Sequence, residues 1–368
     1  MRKYIVFAMI VLLLVLPTHA VSTVQKPIRL AVAGMSHGHI SFILGRADKK
    51  DFEIVGIWES NNDLVKIRTK EFNLQSELVY SNLAEMLDKV KPEAVVAFGS
   101  VFDHLAVVEA CAPRGIHVMV EKPLAVNMEH AKKMAQLAKE YNIHLLTNYE
   151  TSWYPTTAWS LNKMSDDDSF GPIRKVVIHD GHEGPKEIGV DNFFLDWLTD
   201  PVQNGGGAVV DFGCYGANLM TALTNGIKPI SVTAVLRQFK PDVYPNVDDE
   251  ATIIVSYPQS QCIIQASWNW PFGRKDMEIY TTNGYIRTVD EQEAYIRNRS
   301  MKREEKKVIP KDDVAVYTDP FSYFYDVLTD KTVIEPYSLY SLENNVRVVE
   351  ILDAARKSAK EGRTVYWN

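Results

Sequence analysis

Ile28-Arg-Leu-Ala-Val-Ala-Gly34-Met-Ser36-His37-Gly38-His39 is the stretch that decides the fold of the first half of this chain. A short apolar run ends at a glycine, and a helix-like stretch follows from about His39, which is how a nucleotide-binding βαβ unit begins. In such a unit the glycine permits a tight turn, and backbone N–H groups at a helix N-terminus reach a pyrophosphate. The usual spacing Gly-x-Gly-x-x-Gly is incomplete, because Ser36 and His39 replace its second and third glycines. By itself the motif is therefore weak.

Four further apolar runs follow, separated by amphipathic segments. The runs cover residues 52–58, 94–98, 117–120 and 143–147, and the segments cover residues 63–71, 83–90, 105–114 and 128–141. Short apolar strands that alternate with helical patterns are typical of a doubly wound parallel sheet with helices on both faces. We therefore predict an α/β Rossmann domain over residues 27–148.

The pattern changes after residue 148. Stretches rich in β-branched and aromatic residues follow one another at 174–180, 230–237, 251–257, 261–268 and 276–280, and an amphipathic helix at 342–360 closes the chain. Successive strands without helices between them predict a mostly antiparallel sheet. We expect an α+β domain over residues 149–368, a cleft between the domains, and a homo-oligomer formed through the open face of the second sheet.

Composition and charge exclude several classes of protein. The 368 residues are 46% hydrophobic and 24% charged, as in an ordinary globular protein. A formal net charge of −7 without a Lys/Arg block argues against nucleic-acid partners and anionic membranes. Cys111, Cys214 and Cys262 are odd in number and far apart, which indicates buried thiols with Cys214 nearest to the chemistry. No metal site is predicted.

Residues 1–20 have the pattern of a secretory signal peptide. Arg2 and Lys3 precede a short apolar run at residues 5–16, and Thr18-His19-Ala20 supplies small residues for cleavage near Ala20. A membrane anchor is the alternative, but spanning the hydrocarbon needs about 20 apolar residues. We expect a protein that is exported to the periplasm, without stable membrane insertion after cleavage, and with a net charge of −9 once Arg2 and Lys3 are removed.

Glu59 ends the second apolar run, 25 residues beyond Gly34. A carboxylate at this position accepts both ribose hydroxyls of NAD and repels the additional phosphate of NADP. A solvated carboxylate at a strand end is the alternative interpretation. Together with the strand–turn–helix pattern, Glu59 favours NAD as the cofactor and leaves NADP possible.

Glu121-Lys122-Pro123 follows the fourth apolar run, so Lys122 is placed at the carboxyl edge of the sheet, where open α/β sheets bind ligands. Burial beside a positively charged nicotinamide would depress the pKa of Lys122 and suit it to relay a proton. Pro123 fixes the backbone, and one interpretation is that it does so through a cis peptide bond. The alternative is a surface lysine at the start of a helix.

A glycine-rich cluster lies in the second half, at Gly205-Gly206-Gly207-Ala-Val-Val-Asp211-Phe-Gly213-Cys214-Tyr215. The glycines permit close approach of the backbone to a ligand. In a continuous helix Asp211 and Tyr215 are i and i+4, so they would share one face and grip adjacent hydroxyls. A helix-capping aspartate followed by a core tyrosine is the alternative.

These motifs occur in one order, followed by Val247-Asp248-Asp249-Glu250-Ala251-Thr252 before a strand, and together they resemble the Gfo/Idh/MocA family of NAD(P)-dependent oxidoreductases. The resemblance implies that Lys122 helps to bind substrate and relay a proton, and that Asp211 binds a substrate hydroxyl. Tyr215 stands where the family commonly has an acid/base histidine, as in the exported glucose–fructose oxidoreductase branch. Asn218 replaces a family aspartate at a further substrate contact.

The resemblance also implies that His104 lies near the cofactor, and Gly99-Ser100 replaces the Thr-Pro of the family's third loop. With the residues above, the predicted cofactor site comprises Gly34, Ser36, His37, Gly38, His39, Glu59, Ser100, His104, Glu121 and Lys122. The predicted catalytic residues are Lys122, Tyr215 and Asp211.

Aromatic residues near the motifs favour a carbohydrate substrate, because rings stack on the apolar face of a sugar. Core packing is the alternative for most of them, and Trp153 and Trp197 are the predicted pocket walls. We expect hydride transfer between a nicotinamide and a sugar, polyol or glycoside. The alternatives are a glycoside hydrolase that retains NAD for transient oxidation, and a non-catalytic sugar-binding protein.

Overall fold

The computed structural model describes residues 26–317 and 319–367, so the predicted signal peptide lies outside the described residues. The first described sheet is parallel, and its six strands lie in the order β3-β2-β1-β4-β5-β6. They are β1 Ile28–Ala33, β2 Phe52–Trp58, β3 Val79–Tyr80, β4 Ala94–Ala97, β5 His117–Glu121 and β6 Leu145–Asn148. The accompanying helices are α1 Ser41–Leu44, α2 Asn62–Phe72, α3 Leu83–Val90, α4 Asp103–Cys111 and α5 Met128–Glu140. This is the predicted doubly wound α/β architecture.

The strand order reverses between β1 and β4, which creates a crevice at the carboxyl ends of the two strands. Open α/β sheets bind dinucleotides in this crevice. The turn after β1 begins at Gly34 and the turn after β4 at Gly99, so both glycine turns lie at its mouth.

The first helix is shorter than the sequence pattern indicates. A single 3-10 turn at Gly38–Ile40 precedes only four helical residues in α1. The uncovered part of the sheet is packed by a later helix, α10 Pro320–Leu328, whose Phe321 and Phe324 are buried with Leu30 and Val32 of β1. Helix α10, from the second half of the chain, therefore completes the core of the first domain.

The second described sheet has nine strands in the order β14-β13-β12-β11-β7-β10-β9-β8-β15. Its pairs are antiparallel except for β7 and β10, which makes it the predicted mostly antiparallel sheet. The sequence patterns missed the strands at its two edges. The strands are β7 Ile173–Gly181, β8 Ser231–Arg237, β9 Glu250–Ser256, β10 Gln261–Ser267, β11 Arg274–Thr281, β12 Gly284–Thr288, β13 Glu293–Asn298, β14 Glu305–Val308 and β15 Val365–Tyr366.

Helices cover one face of this sheet. They are α6 Pro155–Asp166, α8 Ala208–Asp211, α9 Gly213–Leu223 and α11 Leu342–Glu361. Helix α7 Asn192–Leu198 lies against the turn after β1. The long helix α11 joins the two cores, because Val349 is buried with the first sheet while Val348 and Ile351 are buried with the second. Among the described residues, the helices are too short or too polar to cross a membrane.

Candidate active site

The turn after β1 lies tightly against the turn after β4. Gly34 has φ +83°, and a β-carbon there would lie 2.7 Å from the backbone nitrogen of Gly99. Glycine is therefore required at position 34 both by its backbone angle and by this close approach. The cradle at the switch point has the form that a dinucleotide needs, which fits the predicted cofactor.

Helix α7 of the second domain lies over this turn. Trp197 Nε1 donates a hydrogen bond to Ser36 Oγ at 3.1 Å, and a β-carbon on Gly38 would lie 3.3 Å from the ring of Phe194. The ring of His37 packs against both aromatic rings, with centroids 4.7 Å from Phe194 and 5.7 Å from Trp197. Trp197 thus lies at the cofactor turn rather than beside Tyr215.

Glu59 is buried at the end of β2 and holds the same turn. Its Oε2 accepts the backbone N–H of Met35 at 2.9 Å, and its Oε1 accepts that of Asn61 at 2.9 Å. Each carboxylate oxygen has a second lone pair, so a ribose hydroxyl can still bind there. The solvated-carboxylate alternative does not hold, because Glu59 is only 9% exposed.

A hydrogen-bonded chain runs along the carboxyl edge of the sheet through Glu121. His39 Nδ1 lies 3.0 Å from Glu121 Oε2, and Asn148 donates to Oε1 at 2.7 Å. Burial opposes ionisation of Glu121, but His39, His37 and Asn148 outweigh it and lower its pKa to about 2. Trp153 donates to Asn148 at 3.1 Å and stacks on Tyr340, so it supports this chain instead of forming the predicted pocket wall.

His37, His39 and Glu121 also bring possible metal-ligating atoms within 4.8 Å of one another. The Nδ1 atom of His37 accepts the backbone N–H of His39, which places the proton of the neutral ring on Nε2. A neutral His37 in that form has no free nitrogen lone pair to offer an ion. The donor set therefore does not suit a metal ion.

Lys122 is buried and bonded to Asp211. Its ammonium donates to Asp211 Oδ1 at 2.5 Å and to the Asp211 carbonyl at 3.3 Å, while Trp268 donates to Oδ2 at 2.9 Å. The Lys122–Pro123 bond is cis. The expected depressed pKa of Lys122 is wrong for this structure: burial favours the neutral amine, but the charge of Asp211 outweighs it and raises the pKa. Lys122 and Asp211 form a charged pair.

Asp211 and Tyr215 do not lie on one continuous helix, which corrects the predicted i, i+4 geometry. The helix is interrupted at Phe212, because the Asp211 carbonyl accepts from Lys122 and from the Cys214 thiol at 3.3 Å. Both oxygens of Asp211 hold protein partners, so in this structure the carboxylate orients Lys122. All three cysteines are free and buried, as predicted.

Tyr215 lies between two lysines. The Lys122 nitrogen is 5.4 Å and the Lys275 nitrogen 5.3 Å from the centroid of its ring. Burial, together with nearby carboxylates, raises the pKa of Tyr215 well above its ordinary value, so it is a neutral phenol at neutral pH.

Lys275 and its ion-pair partner Glu150 were not predicted from the sequence. Glu150 directly follows the loop after β6, whereas Lys275 is the second residue of β11. No motif joins positions so far apart in sequence. Lys275 stands directly before the predicted stretch at 276–280, so no strand pattern singled it out.

Three predicted residues have other partners. Asn218 is fully buried and donates to Leu339 and Asn344, so it faces the start of α11 and not the cleft. Ser100 Oγ lies within hydrogen-bond distance of Asp103 and Gln203, which ties the turn after β4 to the segment before the glycine-rich cluster. His104 Nδ1 lies 3.1 Å from the Leu124 carbonyl, which places the ring behind the segment that carries Lys122.

Two domain models match the chain. Residues 28–149 match the oxidoreductase family with an NAD-binding Rossmann fold, and residues 159–287 match the GFO/IDH/MocA C-terminal domain. The chain belongs to the Gfo/Idh/MocA family. Its first domain is the NAD-binding Rossmann domain of this family, which confirms the predicted family, fold class and cofactor.

Curated relatives of this Gfo/Idh/MocA protein include two trans-1,2-dihydrobenzene-1,2-diol dehydrogenases. The relative from Xenopus tropicalis is 26% identical over 208 residues, which are 56% of this chain and 58% of the relative. The relative from Sus scrofa is 24% identical over 228 residues, 61% of this chain and 63% of the relative. The matches thus span about three fifths of these relatives.

Solved structures of family members have the same fold over nearly the whole chain. An aldose-aldose oxidoreductase from Caulobacter crescentus complexed with glycerol has a TM-score of 0.75 and 19% identity, covering 93% of this chain and 100% of its own. An inositol dehydrogenase homologue from Azotobacter vinelandii complexed with NAD⁺ has a TM-score of 0.78 and 16% identity, covering 93% and 98%.

Proposed function

We propose that this protein is an NAD-dependent oxidoreductase that transfers a hydride between the nicotinamide and a hydroxyl-bearing carbon of a sugar, polyol or glycoside. One observation carries the proposal. The nitrogen of Lys122 lies 5.4 Å from the ring centroid of Tyr215, which is distant in sequence, and Lys122 follows β5 at the same carboxyl edge of the Rossmann sheet as the turn after β1. NAD, when bound, accepts or supplies the hydride.

The protein's part is to handle the substrate oxygen. A charged Lys122 and a neutral Tyr215 are both hydrogen-bond donors, so together they stabilise negative charge on the oxygen of the reacting C–O bond. That charge develops in both directions of the reaction. In the direction of reduction Tyr215 gives its phenolic proton to the substrate oxygen as the hydride reaches carbon. In the direction of oxidation the tyrosinate, held beside the charged Lys122, takes the hydroxyl proton back, and Asp211 keeps Lys122 charged and aimed.

Support for the substrate class comes from relatives and from the site. A relative is named a dihydrobenzenediol dehydrogenase, and structural neighbours are named an aldose-aldose oxidoreductase and an inositol dehydrogenase homologue. Several charged and hydroxylated side chains surround Tyr215, which suits a ligand that is rich in hydroxyl groups.

The deciding experiment supplies NAD with a panel of aldoses, polyols and glycosides and follows NADH formation by its absorbance. We expect NADH with at least one sugar, and a loss of about two to four orders of magnitude in kcat for Lys122→Met and for Tyr215→Phe. Near-normal turnover in both variants would contradict the mechanism. The function would be contradicted if no substrate led to NADH formation in the direction of oxidation or to NADH consumption in the direction of reduction.

A second candidate is a glycoside hydrolase that keeps its NAD and oxidises the sugar only transiently. The contacts of Trp197 and Phe194 with the turn at Ser36 and Gly38 favour it, because a covered turn slows cofactor exchange. Hydrolysis of a glycoside at substoichiometric NAD without NADH accumulation would distinguish it. A non-catalytic sugar-binding protein is less favoured, because nothing in sugar binding alone requires the buried Lys122–Asp211 pair.

Export to the periplasm and homo-oligomer formation are further parts of the proposal. Mass spectrometry of the mature N-terminus should find a chain that begins after Ala20.

The open face of the second sheet carries Val177, Ile254 and Ile263 in half-buried positions, which favours a second copy of the chain as its cover. Light scattering should give a multiple of the monomer mass, and a monomer would contradict this part.

A further inference from the structure

We propose that the protein has a second sugar subsite beyond Tyr215, so that its preferred substrate is a neutral glycoside longer than one ring. This inference rests on the proposed function, since it names the part of the substrate that lies away from the reacting carbon. The subsite is a cavity of about 520 Å³ whose inner border is the Lys275–Glu150 ion pair.

The cavity adjoins the catalytic group of residues, with the side chain of Lys275 between them. Lys275 faces the ring of Tyr215 on one side and the cavity on the other. His182 lines the cavity and packs edge-on against Phe212, the residue between Asp211 and the helix of Tyr215, with ring centroids 4.9 Å apart. A substrate held at Lys122 and Tyr215 therefore extends into this space.

Two segments that are distant in sequence form the inner border. Glu150 follows the last strand of the first sheet and also accepts the Tyr154 hydroxyl at 2.8 Å, while Lys275 comes from β11 of the second sheet. Charged, hydrogen-bonded side chains in a fixed arrangement, beside an exposed part of a tyrosine ring, are the groups that bind a pyranose. The volume lies within the range of roughly 300–1,000 Å³ found for ligand pockets.

The charges of the lining select the ligand class. Five carboxylates face three basic side chains, namely Glu150, Asp276, Glu278, Asp290 and Glu291 against Arg274, Lys275 and Arg287. The basic groups are already paired: Lys275 with Glu150, Arg274 with Asp276, and Arg287 with Glu304. No basic group is left over for an anion, so a sugar phosphate or a uronate is disfavoured. Hydroxyl groups can donate to the surplus carboxylates, which fits a neutral sugar ring.

Gly273 offers a direct test, because it lines the cavity and a β-carbon there would meet nothing within 4 Å. Its φ lies outside the left-handed region, so a larger residue is accommodated without backbone strain. Gly273→Trp should fill the cavity, and Gly273→Ala is the matched control that leaves it open. Thermal unfolding of each variant shows whether the fold is intact.

The experiment compares monosaccharides with disaccharides that contain them, in the presence of NAD, by NADH formation and by calorimetric binding. We expect the wild type to prefer a disaccharide, and Gly273→Trp to lower kcat/KM for the disaccharide about tenfold or more relative to that for the monosaccharide. Gly273→Ala should leave the ratio unchanged. Equal effects on both sugars, or no wild-type preference for the disaccharide, would overturn the subsite and leave the proposed function intact. If no sugar is oxidised, the proposed function fails, and selective loss of disaccharide binding in Gly273→Trp would still support the subsite.

Discussion

The Lys122 ammonium is anchored by the Asp211 carboxylate, 89 positions later in the chain, and both groups are less than a tenth exposed. Removing one partner leaves a buried charge without compensation, which costs about 3–5 kcal/mol. We therefore expect Lys122→Met and Asp211→Asn each to lower the free energy of unfolding by that amount in denaturant titrations. The double variant should recover part of this stability but no activity. Additive losses in the double variant would contradict the pairing.

Tyr215→Phe separates activity from stability. Among the described residues no hydrogen bond of the Tyr215 hydroxyl is found, so its removal should change the free energy of unfolding by less than about 0.5 kcal/mol, the lower end of the net contribution of one hydrogen bond. The same change should lower kcat by about two orders of magnitude or more. Tyr149→Phe is the matched control, since its buried ring packs edge-on against Tyr215 and its hydroxyl faces Cys214. Equal losses of activity in the two variants would argue for a packing role.

Gly34→Ala should destabilise the protein and abolish NAD binding. The left-handed backbone angle costs an alanine about 1–2 kcal/mol, and the contact with Gly99 adds to that cost. Gly115→Ala is the control, because Gly115 has a similar φ of +68° but open space around its β-carbon. Thermal unfolding should show the larger loss for Gly34→Ala, and calorimetry should show NAD binding only in the control. Equal stability losses would contradict the close approach of the two turns.

Glu121 should make stability depend on pH in the acid range. Its pKa is lowered to about 2 in the folded protein, against about 4.5 for an unperturbed glutamate. A carboxyl group with a depressed folded pKa stabilises the protein above its unfolded pKa, and this contribution is lost as the pH falls towards the folded value. Between about pH 5 and pH 2 the wild type should lose more unfolding free energy than Glu121→Gln. Parallel pH profiles would contradict this.

The three thiols should be unreactive in the native protein. Burial raises the pKa of Cys111 to about 12 and raises those of Cys214 and Cys262 as well, so little thiolate exists at neutral pH. A chromogenic disulfide reagent should label none of them until denaturant is added, when all three should react. Prompt labelling of one thiol in the native state would show a local opening.

Much of the fold could be predicted from sequence because the buried parallel strands have apolar patterns that end at glycines. The edge strands could not, since Glu305–Val308 is mostly charged and forms only by pairing with β13. The short length of α1 could not be predicted either. The part of the sheet that α1 leaves uncovered is packed by Phe321 and Phe324, which lie almost 300 residues later in the chain.

The site was predictable where a local motif fixes the position of a residue, as at Gly34 and Lys122. The charge states of the site residues could not be predicted in this way. The ion pair with Asp211, which reverses the expected pKa shift of Lys122, depends on contacts between distant segments. Asn218 was misplaced for the same reason, since its partners Leu339 and Asn344 come from a segment more than 100 residues later in the chain.

The last long helix also determines when the protein can finish folding. A ribosome releases the amino-terminal half first, yet the interior of the nascent Rossmann half lacks Phe321, Phe324 and Val349 until codons 321–349 are translated. A growing chain therefore exposes two unfinished apolar faces throughout synthesis, the condition in which chaperones bind nascent polypeptides. A premature stop codon ahead of residue 342 would leave both halves with open interiors, and not one finished domain beside a truncated one.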